Sequence, residues 1–173
     1  MVKISQAEIN TVIKILKKIE PGFLPFDLFR QFARLYVTPI IEIVPLKKDR
    51  NEKITTILLP REKDDPDWPG MMHTPGTVLR ASDKKGNLTN AFTRIIKDEL
   101  HNLKIVHGPE LVDYEFHQTK RGREFALIFF VEYSGSPKTG QEIIVDQLPR
   151  NTVKTQIKFI KKATEVFKTY LKQ

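Results

Sequence analysis

Residues 67–105 read D-W-P-G-M-M-H-T-P-G-T-V-L-R-A-S-D-K-K-G-N-L-T-N-A-F-T-R-I-I-K-D-E-L-H-N-L-K-I, and the rest of the chain is organised around them. A proline- and glycine-broken approach meets a short apolar step at Val78-Leu79, then a polar loop, then an amphipathic helix. Leu88, Ala91, Phe92, Ile95, Ile96, Leu100 and Leu103 recur at helical spacing and form one apolar stripe. Arg94, Asp98 and Glu99 fall within a turn and a half of the same helix. The pattern alone allows two readings. In one, the segment is a core helix whose acids are simply solvated. In the other, the acids face the Pro75-Gly76-Thr77 bend and do chemistry there.

Upstream, Ser5-Gln-Ala-Glu8 has the form of a capping box. Ile9, Val12, Ile13, Leu16 and Ile19 then continue a helix that Pro21-Gly22 stops. A second helix is expected from about Pro25 to Tyr36, with Leu28, Phe29, Phe32 and Leu35 or Tyr36 on one face. Residues 1–36 thus read as a helical extension, and residues 37–173 as the main domain. β-branched runs over 37–46 and 53–60 predict a hairpin joined by K-K-D-R-N-E, with Pro39 and Pro45 at strand ends or an edge. Residues 61–68 read as a surface loop. After the central helix come predicted strands at 112–118 and 124–133 around Thr119-Lys-Arg-Gly122, and a short strand at 142–145. A terminal helix runs to about Lys172, with Val153, Ile157, Ile160, Val166 or Phe167, and Leu171 as its apolar set. Strands separated by well-spaced helices imply an α/β fold with a mixed sheet covered on both faces.

A chain of 173 residues with 40% hydrophobic and 29% charged residues suits one soluble domain with a real core. No apolar run approaches the roughly 18–20 residues a membrane helix needs, and the N-terminus has no secretory pattern. The absence of cysteine excludes disulfides, thiolate metal sites and cysteine catalysis. A cytoplasmic location is the expectation. The formal charge is +8, and residues 150–173 carry seven Lys or Arg against Glu165 alone. Such a face attracts polyanions, so a nucleic-acid partner is a candidate, although a solvated helix face is the favoured account of the charge.

The central stretch resembles the Nudix box, G-x5-E-x7-R-E-U-x-E-E-x-G-U, where U is a bulky aliphatic. Here Pro75-Gly76-Thr77 stands for the P-G-G turn, Asp83 for the first acid, Arg94 for the arginine, Ile96 for the aliphatic, and Asp98-Glu99 for the acid pair. Lys84-Lys85-Gly86 reads as a loop insertion, Ile95 replaces a glutamate, and His101 or Asn102 replaces the closing glycine. The resemblance covers about residues 37–172 and implies a Nudix-like α/β/α sandwich. It implies a hydrolase that cleaves a nucleoside diphosphate linked to another group, with Mg2+ (or Mn2+) as cofactor. On that likeness the catalytic set is Arg94, Asp98 and Glu99. The metal set is Asp98, Glu99, Asp83 and the Gly76 carbonyl. Mg2+ takes hard oxygen ligands and is often held by one or two carboxylates with waters and phosphates, so the loss of an acid at position 95 leaves cation binding open. Arg94 and Asp98 are also spaced to form an ion pair along the helix.

The general base in this family often lies outside the box, and Glu115 and Glu132 are the candidates. His73 adjoins the turn, and a surface position is expected for it. Residues 135–142, G-S-P-K-T-G-Q-E, lack the Lys-Ser/Thr of a phosphate loop. No G-x-S-x-G supports a serine hydrolase. Two rivals stand beside the hydrolase: a Nudix-like module that binds a nucleotide without cleaving it, for which Ile95 argues, and a basic interaction domain.

Overall fold

The computed structural model describes residues 3–22, 24–83 and 88–173, so the Lys84-Lys85-Gly86 insertion lies outside the described residues. The elements run α1 (Gln6–Leu16), α2 (Phe26–Leu35), β1 (Thr38–Lys48), β2 (Ile54–Pro60), β3 (Met72–His73), β4 (Gly76–Val78), α3 (Thr89–Glu99), β5 (Lys104–Gln118), β6 (Arg123–Ser134), β7 (Gln141–Ile144) and α4 (Lys154–Tyr170). The sheet is mixed, in the order β3-β2-β1-β6-β5, with β4 on β1 and β7 on β2. β1 and β6 are its central parallel pair; β1 is antiparallel to β2 and β4, and β5 to β6.

Alternation along the central strands sorts apolar side chains to two faces. Ile40, Val44, Leu46, Ala126, Ile128 and Phe130 pack under Phe159, Ile160, Ala163 and Phe167 of α4. Ile41, Ile43, Phe129 and Val131 pack under Ala91 and Ile95 of α3. The result is the expected three-layer α/β/α arrangement. Among the described residues, no helix is long and apolar enough to cross a membrane.

Several sequence expectations shift. Pro39 lies at the start of β1, as expected, but Pro45 lies inside this central strand. Successive residues of a strand direct N–H groups to alternate flanks, so both prolines share the flank of Ile43, whose N–H donates to the Pro75 carbonyl at 2.8 Å. On that flank β4 pairs with residues 40–42 and β2 with 46–48. Pro45 therefore falls in the break between two partners and costs no ladder bond. β5 starts at Lys104, eight residues before the expected strand, because register shifts around His107–Glu110 absorb Gly108-Pro109. In α4 the buried phase includes Gln156, Phe159 and Phe167, while Val166 and Leu171 are exposed. The Ser5–Glu8 capping box forms: the Ser5 N–H donates to Glu8 Oε2 at 2.8 Å and the Glu8 N–H to Ser5 Oγ at 3.3 Å.

The β5–β6 turn anchors the N-terminal helices. Gly122 has φ +146°, and a Cβ built there would lie 2.0 Å from the Ala33 carbonyl oxygen. Only glycine permits α2 to approach that closely. The turn thereby fastens α2 to the sheet, aided by an Arg30–Asp67 ion pair at 3.3 Å.

Candidate active site

The site is built around Gly76, the first residue of β4. Its backbone N–H donates to Glu99 Oε2 at 3.3 Å. In the β1–β4 ladder Gly76 is paired with Glu42, and a Cβ at position 76 would meet Glu42 Oε2 and the Ile41 carbonyl oxygen, each at 2.9 Å. A glycine here lets two carboxylates close on one turn.

Glu42 interrupts the apolar run of β1 and is 8% exposed. It survives burial because its oxygens are satisfied. Thr74 Oγ1 donates to Oε2 at 2.7 Å, and Gln156 Nε2 of α4 donates to both oxygens at 3.1 and 3.2 Å. Gln156 is itself held by the Thr74 N–H at 3.0 Å. Burial pushes the Glu42 carboxyl up to about 7, against the pull of Thr74 and Gln156, and the neighbouring Glu124 charge adds to the rise. Burial likewise pushes Glu99 up to about 7, with the Gly76 N–H opposing and the charges of Glu42 and Asp98 reinforcing.

A second buried glutamate, Glu124, is 3% exposed. Arg121 clamps it through Nε at 3.0 Å and Nη2 at 2.6 Å, and His117 Nε2 lies 3.2 Å away. Despite burial, the hydrogen bond to His117 and the Arg121 guanidinium keep its carboxyl below the usual range. Arg61 and Arg121 stack over Trp68, 5.6 and 4.7 Å from its ring centroid. Loop 61–68 is therefore folded onto the body at Trp68 and at the buried Asp67 rather than lying wholly on the surface. His73 is buried too. Its Nδ1 lies 2.8 Å from the Thr74 carbonyl oxygen, and burial, with the nearby Arg61, pushes its ring down to about 4.

The remaining sequence candidates divide. Arg94 and Asp83 form a forked ion pair, with Arg94 Nη2 also donating to the Val78 carbonyl at 3.1 Å. The Arg80 N–H caps the other side of Asp83 at 2.8 Å. Arg94 thus braces the segment after β4 against α3, and its partner is Asp83, not Asp98. Asp98 is exposed. Ile95 is 1% exposed in the α3-side core. Glu115 is engaged by Lys158 and Lys162 of α4 at 3.5 and 3.3 Å, and Glu132 accepts from the Tyr170 hydroxyl at 3.2 Å. The basic face of α4 is in part neutralised by β5, since Lys162 also pairs with Asp113.

Sequence reasoning missed Glu42, Glu124, Arg61 and Arg121. Glu42 alone left a signal, a charge inside P-I-I-E-I-V-P.

Solved structures with this arrangement include a MutT Nudix hydrolase from Burkholderia pseudomallei, 16% identical with a TM-score of 0.58 over 73% of this chain and 98% of its own. The chain has a Nudix fold. The Nudix domain of Shewanella oneidensis NrtR, solved with ADP ribose, is 14% identical with a TM-score of 0.58, covering 95% of this chain and 99% of that one. A C. elegans Ap4A hydrolase is 13% identical with a TM-score of 0.56, over 76% and 99%. No family model and no curated protein matches the sequence.

Nudix hydrolase folds typically use Mg2+, a hard cation that takes oxygen donors of the kind found around Gly76. Among the described residues, no three His, Cys, Asp or Glu side chains form a cation cage. Mg2+ does not need one, because waters and substrate phosphates complete its shell. Glu99 fits that minimal demand. It keeps lone pairs free beyond its single bond to Gly76, and it shares a desolvated region with the like charge of Glu42. A cation there would offset the repulsion.

Glu42 also gives a stability prediction for the protein held in a chelator. Its folded pKa lies above the unfolded one, so its contribution is full below about 4.5 and lost as pH rises through about 7. Urea unfolding from pH 5 to 8 should show a loss on the order of a few kcal/mol relative to Glu42→Gln, which mimics the protonated acid. The difference between the two proteins cancels the opposite trend expected of His73.

Proposed function

We propose that the protein is a metal-dependent hydrolase of a nucleoside diphosphate linked to a second group. The observation that carries this reading is the pair of carboxylates close to Gly76, buried Glu42 and half-buried Glu99, both raised toward neutrality. Glu99, with the Gly76 carbonyl, would hold Mg2+ or Mn2+, and exposed Asp98 adds its charge from the solvent side. When bound, the ion neutralises phosphate oxygens and lowers the pKa of a water. Glu42 lines the adjoining cleft, and a carboxylate with a pKa near 7 is matched to taking a proton from attacking water at neutral pH. It replaces Glu115 and Glu132 as the proposed base, since those acids are engaged elsewhere. Arg61 opens onto the same cleft and offers charge to phosphate oxygens. Arg94 and Asp83 act by position, fixing α3 against the turn.

Incubation with a panel of nucleoside diphosphate derivatives and Mg2+ or Mn2+, followed by phosphorus NMR, tests the reading. Metal-dependent cleavage of the diphosphate in at least one compound is expected. The second reading, a module that binds without cleaving, draws on Ile95, buried where the box has an acid. Metal-dependent binding heat without turnover across the panel would decide for it.

A further inference from the structure

A cleft of about 800 Å³ opens between the two N-terminal helices and the β1–β4 edge. Its volume lies in the range of roughly 300–1,000 Å³ typical of sites that enclose a small ligand. One wall is Phe26, Phe29 and Phe32 of α2, and the facing wall is Pro39, Val78 and Leu79. Charge is concentrated elsewhere in the same cleft: Glu42 and Gly76 of the proposed active site line it together with Arg61 and Arg121.

The helices do not use their apolar faces to close this space. α1 has no buried residue, and α2 has Ala33 alone. Phe26 is 42% exposed, and Tyr36 and Val37, which also line the cleft, are 69% and 44% exposed. Wet apolar surface of this extent marks a binding site. Yet α2 is a fixed wall. It is held by the Arg30–Asp67 pair, by Ala33 against Gly122, and by Phe29 under the Arg121 guanidinium at 5.9 Å. Its separation from β4 is therefore built in.

We infer that the cleft takes a diphosphate ester whose second group is apolar, such as an acyl or isoprenoid chain. This rests on the proposed diphosphate site, whose second group it specifies. The diphosphate lies at Arg61 and Gly76, and the apolar group lies between α2 and β4. A ligand with only one of these characters leaves the other part of the cleft unmatched: a sugar would strand the phenylalanines in contact with polar groups, and a plain hydrocarbon would desolvate Arg61 with only its 3.6 Å contact to Asp65 to offset the cost. The concavity and its charged portion favour such a ligand over the flat apolar face of a second copy.

Calorimetry on the full chain in a chelator separates this from catalysis, with farnesyl diphosphate, inorganic pyrophosphate and farnesol as the three probes. Farnesyl diphosphate should bind at least about tenfold more tightly than either of the others, with a negative heat-capacity change. Phe26→Ser and Ile19→Ser, both at partly exposed positions, should each weaken farnesyl diphosphate about tenfold and pyrophosphate less than about twofold. Equal affinity for farnesyl diphosphate and pyrophosphate, or for farnesyl diphosphate and farnesol, overturns the inference. So does an unchanged affinity in both variants, or a dimer by light scattering that binds none of the probes. Binding of farnesyl diphosphate without cleavage of any diphosphate on addition of Mg2+ keeps the cleft and removes the hydrolase. Cleavage of a nucleotide sugar by a protein indifferent to the farnesyl chain does the reverse.

Discussion

Glu99→Gln is expected to lower the rate of diphosphate cleavage by about 10²–10³-fold, the scale set by removing one preorganised electrostatic group from a reacting centre. The substitution keeps the acceptor for the Gly76 N–H, so the turn retains its hydrogen bond. It removes a carboxyl whose pKa is raised chiefly by burial and in part by the like charge of Glu42. Glu99 has a folded pKa above its unfolded value, so its stabilising contribution is complete below about 4.5 and lost on passing through about 7. Above pH 7 the Gln variant should therefore be at least as stable as the parent. Loss of activity without loss of stability is the signature of a side chain kept for chemistry, and thermal unfolding beside steady-state rates reads both. Asp98→Asn, at an exposed position, should change the rate by less than about threefold. A Glu99→Gln protein that is fully active, or inactive only because it unfolds, removes the acid from the reaction.

What the sequence made legible depends on how local each feature is. The apolar stripe of α3 and the acid at its end are fixed by helical spacing, and they place Glu99 within reach of a Pro-Gly turn once the helix packs on the sheet. Arg94 was equally visible, but its partner was not. Helical spacing offered Asp98, and the fold supplied Asp83 from the loop before the helix. Glu42 was missed although it is a charge inside an apolar strand, because what makes it tolerable, Thr74 and Gln156, comes from 32 and 114 positions away. Arg61, Trp68 and Arg121 meet only because two loops meet. The N-terminal helices show the same limit from the other side. Their periodicity announces an apolar face, and only the sheet reveals that the face borders a cleft rather than a core.

Ile95→Glu restores the acid that the Nudix box carries at this position, and it is expected to destabilise the protein by about 3–5 kcal/mol, the cost of an uncompensated buried charge. The Ile95 side chain is 1% exposed among Ile41, Ile43, Phe129 and Val131, none of which offers a hydrogen bond. Glu99, its i+4 neighbour, has the same sign and is already raised by lack of solvent. For a chain of this size that loss corresponds to a fall in Tm of roughly 6–20 °C. Ile95→Val, which removes one methylene without adding charge, should cost only about 0.5–1.5 kcal/mol and so calibrates the packing share. The opposite expectation holds if position 95 belongs to a cation-binding face: Mg2+ would bind more tightly to the Glu variant, and Tm would hold in its presence. Thermal unfolding of both variants with and without 10 mM Mg2+ (about the concentration needed for a weak site) distinguishes the two. A Glu variant restored to the parental Tm by Mg2+ would show that α3 can turn this position toward the cation, and the packing around Ile95 would then be a consequence of the missing acid rather than the reason for it.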